Sequence, residues 1–277
     1  MKFNNKKISH YLIFSISSIN YFLAIFLRQI IKNKNENILL FGHKLTGNLE
    51  VIFNDERFDQ FETFFITVNP QEYAKLKKIY GDRILTPLNF LHLMKALKSK
   101  VLITSHGLFL HNALKKLDIK TILCGHAIHG EIPVNKKSDK KKFQTYDEVW
   151  LHSSYDKKIL TEERGCDSLN FKVFGFARNQ KLIENIKNVN ILKNNNSLNG
   201  KKIILYAPTG NRNNINYINS EFSISNISFY KFMDRALRNS DVILIIKKHL
   251  NDDTSKEIET LVHKSNSILF QKDLNLE

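Results

Sequence analysis

The chain has 277 residues, of which 42% are hydrophobic and 25% charged, and a formal net charge of +15. That length supports a real core in one large or two modest domains, and the composition excludes an intrinsically disordered chain. Excess Lys and Arg favour polyanionic partners (nucleic acid, anionic headgroups or phosphorylated substrates) without choosing among them.

In chain order, residues 11–27 come first. They carry no formal charge and are bracketed by Lys6, Lys7 and His10 on one side and Arg28, Lys32 and Lys34 on the other. The stretch is shorter than the roughly 20 apolar residues of a spanning helix, and Ser15, Ser17, Ser18 and Asn20 interrupt it. Leu27-Arg28-Gln29 is a poor signal-peptidase site. With Tyr11, Phe14, Tyr21, Phe22 and Phe26 it is predicted to be an interfacial helix, residues 1–36, lying on an anionic membrane surface. The competing expectation is a helix packed on the protein's own body.

From residue 37 apolar runs alternate with Lys-rich amphipathic ones. Strands are predicted at 38–41, 64–68, 101–104, 121–124, 148–151 and 171–174. Helices are predicted at 50–58, 71–80, 88–98, 108–117, 155–164 and 179–187. This rhythm implies βαβ units around a parallel sheet over residues 37–189. Cys124 lies within an apolar run and reads as a small hydrophobe. With Cys166 as the only other cysteine and no zinc-ligand spacing, a reducing, cytoplasmic setting fits. Asp156, Glu162 and Glu163 read as a solvated helix face, and the basic run from Lys136 to Lys142 as a loop. A polar, Asn-rich linker at 190–200 precedes a second series over 201–277. It comprises strands 202–206, 242–246 and 267–270 and helices 228–238 and 254–264. Residues 203–205 read as a buried strand that breaks at Ala207-Pro208 into Thr209, Gly210 and Arg212.

Strand ends carry the chemistry-bearing residues. They offer Ser105-His106-Gly107, Gly125-His126, Gly175 to Asn179, Thr209-Gly210, and Lys247-Lys248-His249. Glycine allows close backbone approach, Arg and Lys offset phosphate charge, and His exchanges protons near neutrality. Structural roles compete at each position: His106 as a helix cap, His126 as a core histidine, His129 as a plain loop residue, and Lys247 and Lys248 as a solvated strand end. Arg178, at a helix start, opposes the macrodipole, so a bound anion would account for it.

These loops, in this order, resemble those of the CDP-glycerol glycerophosphotransferase family of teichoic-acid and capsule polymer enzymes. That family's Trp-His-Gly-Thr-Pro loop has its place at residues 121–127, with His126 on the histidine. Its Gly-Tyr-Pro-Arg-Asn-Asp segment is similar to residues 175–180, which keep Arg178 and Asn179. Its Leu-Tyr-Ala-Pro-Thr-Trp-Arg segment matches residues 205–209 and departs at Gly210, and its Lys-x-His-Pro segment resembles residues 247–250. Gly125, Ala127, Ala177 and Leu250 are departures, and the family's later Asp-Tyr-Ser-Ser stretch has no counterpart.

The resemblance implies a GT-B-like α/β architecture of two Rossmann-type domains, the first on the acceptor side and the second, incomplete here, on the nucleotide-donor side. It implies attack of an acceptor hydroxyl on the glycerol-bearing phosphorus of CDP-glycerol, releasing CMP. His126 would be the general base. His249 with Lys248 would stabilise the leaving group, and Arg178, Asn179, Thr209 and Gly210 would hold the substrate. The partners implied are a nucleotide-activated donor, a glycan or lipid-linked acceptor and the inner membrane surface, with no nucleic acid. No cofactor or protein-held metal is expected, although magnesium can arrive with the donor. The competing functions are a nucleotide-sugar GT-B glycosyltransferase, a basic nucleic-acid-binding protein, and an inactive, shortened remnant.

Overall fold

The computed structural model describes residues 8–30, 35–107, 117–125, 140–141, 143–167, 169–186, 198, 200–207, 227–247 and 255–270. The chain divides into two compact units, Met1–Asn185 and Ile186–Glu277.

In the first unit helix α1 (Ile8–Ile30) precedes seven strands: β1 (Asn35–Phe41), β2 (Thr63–Ile66), β3 (Ile84–Leu85), β4 (Ser99–Thr104), β5 (Lys120–Leu123), β6 (Glu148–Leu151) and β7 (Phe171–Val173). They form one parallel sheet in the order β3-β2-β1-β4-β5-β6-β7. Chain direction across the sheet reverses between β1 and β4. Ligands of open α/β sheets sit beyond the carboxyl ends of the strands at such a reversal.

The strands are near-continuous apolar runs, yet their period of two still sorts the side chains. Leu39, Phe64, Ile66 and Leu102 enter a core with Leu93, Ala96 and Leu97 around α4 (Phe90–Ala96). Ile38, Leu40, Phe65 and Ile103 enter another with Leu49, Ile52 and Phe53 of α2 (Asn48–Phe53) and Leu76 of α3 (Pro70–Tyr80). Asn69 and Asn89 cap α3 and α4 by accepting from backbone N–H groups of their first turns, the usual remedy for orphan donors at helix starts.

Helix α1 joins the first of these cores through Ala24 and Ile25. Asn20 Nδ2 donates to the carbonyls of Pro87 (3.2 Å) and Leu88 (3.0 Å), and Arg28 Nε to that of Leu97 (3.0 Å). The opposite face leaves Leu12, Ile16, Ile19, Leu23, Phe26 and Ile30 exposed. Tyr11–Ile30 is long and apolar enough to cross a membrane by length and composition, which corrects the expectation that the run is too short.

After β6 the predicted continuous helix is α5 (Ser154–Lys158), followed by a π-helical turn at Ile159–Glu163. Asp156 is buried and not solvated as expected, whereas Glu162 and Glu163 are exposed. Its place in the first turn, beside the end of β6, turns it inward. Helix α6 (Ala177–Ile186) follows β7.

The second unit holds β8 (Lys202–Tyr206), α7 (Ile227–Leu237), β9 (Val242–Ile246), α8 (Lys256–Lys264) and β10 (Ile268–Phe270), with parallel strands in the order β10-β9-β8. Its core joins Phe229, Tyr230, Leu244, Ile246, Ile258, Val262 and Phe270. The expectation that β8 is buried is overturned: Ile203, Ile204 and Leu205 are 38%, 48% and 62% exposed. Among the described residues β8 ends its sheet and pairs only with β9, so its side chains lack the neighbours a central strand has.

Candidate functional site

Three loops meet at the carboxyl edge of the first unit's sheet. The loop after β1 runs from Gly42 to Gly47, where α2 begins at Asn48. The segment after β5 reaches Gly125 with φ of 60°. Beyond β7 the chain turns through Gly175, with φ of 82°, to the start of α6. A positive φ at Gly125 is cheap only without a Cβ.

Asn48 ties the three together and is buried. Its Nδ2 donates to the carbonyls of Gly125 (2.9 Å) and Cys124 (3.3 Å), and its Oδ1 accepts from the Arg178 backbone N–H at 3.1 Å. That N–H belongs to the first turn of α6, whose donors have no partner within the helix. One amide thus fixes the ends of β1 and β5 and the helix start after β7.

The Arg178 guanidinium lies 4.6 Å from the centroid of the Phe176 ring. A cation in the first turn costs roughly 0.3–1 kcal/mol against the helix dipole, and the ring offsets about as much. Phe176 is buried and also packs on the His152 imidazole, centroids 4.8 Å apart. His152 follows β6, and its Nδ1 stands 3.8 Å from Asp156 Oδ2. Edge, cation and imidazole are therefore neighbours through one aromatic ring. Asn179 lies in the same turn, its N–H bonded to the Phe176 carbonyl at 2.9 Å.

At the sheet's reversal point, His43 follows β1 and His106 follows β4. Burial holds the His43 imidazole below its ordinary value. Ser105 Oγ and His106 Nδ1 are 2.8 Å apart, and the His106 carbonyl accepts from Thr104 Oγ1 and Tyr146 Oη. Burial pushes the Cys124 thiol up to about 12, so it stays protonated at neutral pH and is a packing residue. Cys124 and Cys166 are both free thiols. Among the described residues no group of three His, Cys, Asp or Glu side chains is placed to hold a metal ion.

Of the residues named from sequence, Arg178 and Asn179 stand at this edge. His126, Thr209, Gly210, Lys248 and His249 lie outside the described residues. Sequence reasoning missed Asn48, Phe176 and His152. For Asn48 a signal existed: Gly42 to Gly47 is a glycine-bounded loop after a first strand, opening a helix, the place where Rossmann-type units approach ligands.

The family model for CDP-glycerol:poly(glycerophosphate) glycerophosphotransferase matches residues 25–275. Among solved structures, one of the wall teichoic acid polymerase TagF soaked with CDPG aligns with a TM-score of 0.64 at 14% identity, over 91% of this chain and 64% of that one. Another structure of TagF gives 0.62 at 14% identity, over 95% and 70%. The chain thus spans 64–70% of the length of these two structures. At such identity the likeness is one of fold, and the parallel sheets of the two units are the parts of a GT-B-like architecture. No curated protein matches the chain in sequence.

Proposed function

Because the chain belongs to the CDP-glycerol:poly(glycerophosphate) glycerophosphotransferase family, we propose that it transfers glycerol phosphate from CDP-glycerol to a hydroxyl of a glycan or teichoic-acid-type acceptor. The acceptor oxygen forms a bond to the glycerol-bearing phosphorus, the bond from that phosphorus to the bridging oxygen breaks, and CMP leaves. The acceptor proton passes to His126. His249 and Lys248 carry charge on the leaving group, and Thr209, Gly210, Arg178 and Asn179 hold phosphate oxygens. Such transfer depends on positioning and charge stabilisation.

The observation that carries this reading is Arg178. Its backbone is pinned by Asn48 and its guanidinium is held on Phe176, so an exposed cation is fixed at the carboxyl edge of a parallel sheet. The test is CMP release from CDP-glycerol with a poly(glycerol phosphate) acceptor, beside UDP release from UDP-sugars. Turnover with CDP-glycerol is expected, lowered about 10²–10⁴-fold in His126→Ala and at least tenfold in Arg178→Ala. UDP release in place of CMP release would move the chain to the nucleotide-sugar enzymes, and turnover with neither would sink the reading.

The same proposal places the enzyme on the inner face of the cell membrane through α1. One face of this helix is occupied by the hydrogen bonds of Asn20 and Arg28 to the protein body, while the other is apolar and exposed. Crossing the bilayer would break those bonds, whereas lying in the interface keeps them. Phe22→Asp with Phe26→Asp is expected to abolish co-sedimentation with anionic vesicles, and retained binding would remove α1 from that role.

A further inference from the structure

The strand order reverses between β1 and β4, and the register sets Phe41 beside Thr104. Two residues further on, His43 and His106 leave these neighbouring strands, both exposed. Open α/β sheets take their ligands in the crevice at such a reversal, and none of the contacts named for the reaction lies on the loop that borders it. That loop, Gly42 to Gly47, has its backbone held from three sides. The Gly42 N–H donates to the Ile66 carbonyl (3.3 Å), the His43 carbonyl accepts from the buried Thr67 Oγ1 (3.1 Å), and the Leu45 N–H donates to Glu72 Oε1 (3.3 Å). The Leu45 side chain is anchored in the core with α2 and α3, which leaves His43, Lys44 and Thr46 as the side chains turned to solvent. Among the described residues neither Lys44 nor Arg178 has a carboxylate within ion-pair distance. The acids of the adjoining helices are engaged elsewhere, Glu72 by the Leu45 N–H and Glu50 by Lys181 at 3.8 Å. The two cations stand on segments joined through one amide. Asn48 Oδ1 holds the Arg178 N–H at 3.1 Å, and Lys44 is four residues before Asn48, at most about 14 Å of chain. The stems of two long side chains can close that span on one ligand.

We infer that the Gly42–Gly47 loop is a second contact for substrate phosphate, beside Arg178: the Lys44 ammonium pairs with one phosphate oxygen and the Thr46 hydroxyl donates to another. An ammonium is a compact charge with three rotatable donors, and its bond to an ionised oxygen is stronger than a bond between neutral groups. A surface lysine on a mobile loop would lose much of that gain in ordering the chain. Here the backbone on both sides of Lys44 is already fixed, so binding orders little more than the side chains themselves. Two unpaired cations at one sheet edge also raise the local potential for an anion bearing more than one charge. The identity of the phosphate rests on the proposed function. It is either the diphosphate of CDP-glycerol or a phosphodiester of the acceptor, the two sources of the same chemistry.

The experiment measures the affinity of the full chain for CDP-glycerol and for a short poly(glycerol phosphate) by calorimetry, at about 50 and 300 mM salt. Lys44→Ala is expected to weaken one of the two about tenfold, and the ligand that responds identifies the source. Lys44→Arg should keep most of that affinity and Lys44→Glu should lose more than alanine does. The parent's loss of affinity between the two salt concentrations should shrink in Lys44→Ala. Thr46→Val should weaken the same ligand by a smaller factor, and so should Arg178→Ala weaken that ligand. Because Lys44 is exposed, its variants should keep the parental urea midpoint within about 0.3 M, so a loss of binding is not a loss of fold. Affinities within twofold of the parent for both ligands in Lys44→Ala would overturn the inference, as would Lys44→Glu binding no worse than alanine. A ligand that responds to Lys44→Ala and not to Arg178→Ala would overturn the shared site. If neither ligand binds the parent, the proposed function fails by itself. Inorganic pyrophosphate then decides the loop: it should shift the Lys44 and Thr46 amide resonances in the parent and not the Thr46 resonance in Lys44→Ala, and no shift in the parent overturns it.

Discussion

Asn48→Ala removes a side chain with three partners on two distant segments, the carbonyls of Cys124 and Gly125 and the N–H of Arg178. The substitution leaves the Gly125 carbonyl and the Arg178 N–H unpaired at a buried point. Each such group costs roughly 1–3 kcal/mol, so with water reaching part of the gap the loss is about 2–4 kcal/mol. At about 2 kcal/mol per molar urea, the unfolding midpoint of the first unit should drop by about 1–2 M. The chain's single tryptophan, Trp150, lies on β6 with its ring edge-to-face on Phe174, centroids 5.6 Å apart. Its fluorescence therefore reports on this unit and not on the second. Amide exchange at Arg178 should quicken by more than the global loss of stability accounts for. Asn48→Asp should be no better than alanine, because a carboxylate still accepts from Arg178 but faces two carbonyl oxygens with no proton to give. A midpoint within about 0.3 M of the parent, with Arg178 exchange unchanged, would refute the role of Asn48 as the tie between strand ends.

Two glycines at the same edge should fail for different reasons. Alanine at Gly125 has room, with its nearest neighbours at 3.8 and 3.9 Å, but meets a φ of 60°, so about 1 kcal/mol of backbone strain is expected. Alanine at Gly42 would put Cβ 2.9 Å from Leu49 Cδ1 and 3.2 Å from the Lys44 carbonyl, so about 1–3 kcal/mol of overpacking is expected; equal costs at the two sites, read by urea midpoint, would contradict this. Acid should weaken the first unit before any carboxylate titrates. His92 Nδ1 accepts from the Thr86 N–H at 3.2 Å, and burial, with the charges of Lys77 and Lys95, holds this imidazole below its ordinary value. A histidine depressed in the fold binds its proton more readily when unfolded, so its contribution is full above pH 6.5 and is lost as pH falls. The urea midpoint should therefore fall from pH 7 towards pH 5. His92→Asn, whose amide oxygen can take the same N–H, should flatten the part due to His92 and leave that due to His43.

Most of the first unit was legible because its strands are largely apolar runs separated by polar, Lys-rich segments. The predicted 148–151 coincides with β6, and the other predicted strands of the sheet are off by no more than three residues at either end. The two-residue β3 left no signal, since Ile84 and Leu85 alone carry no period. The second unit's β8 shows the reverse failure. Its run of Ile203, Ile204 and Leu205 has the composition of a doubly covered strand, yet burial depends on neighbours across the sheet, and among the described residues β8 has one. Periodicity specifies what a segment can become, whereas exposure is a property of the assembled sheet.

The edge where β5, β6 and β7 end divides its residues in the same way. Arg178 announces itself, because a cation in a helix's first turn runs against the helix dipole and a glycine shortly before it marks an unusual turn. Asn48, Phe176 and Asp156 give no such sign, since each is an ordinary residue for its local setting: a helix opener, an apolar loop residue and a capping-box acid. Their roles arise from contacts that local sequence does not encode. Asn48 and Arg178 are 130 positions apart, and Asp156, whose N–H donates to Ser153 Oγ, is buried with its carboxylate 3.8 Å from the His152 imidazole just past the end of the preceding strand. The residues suited to contact a ligand thus stand out in the sequence as violations of local rules. Those that hold them in place obey every local rule and become visible only when the fold puts them to a different use.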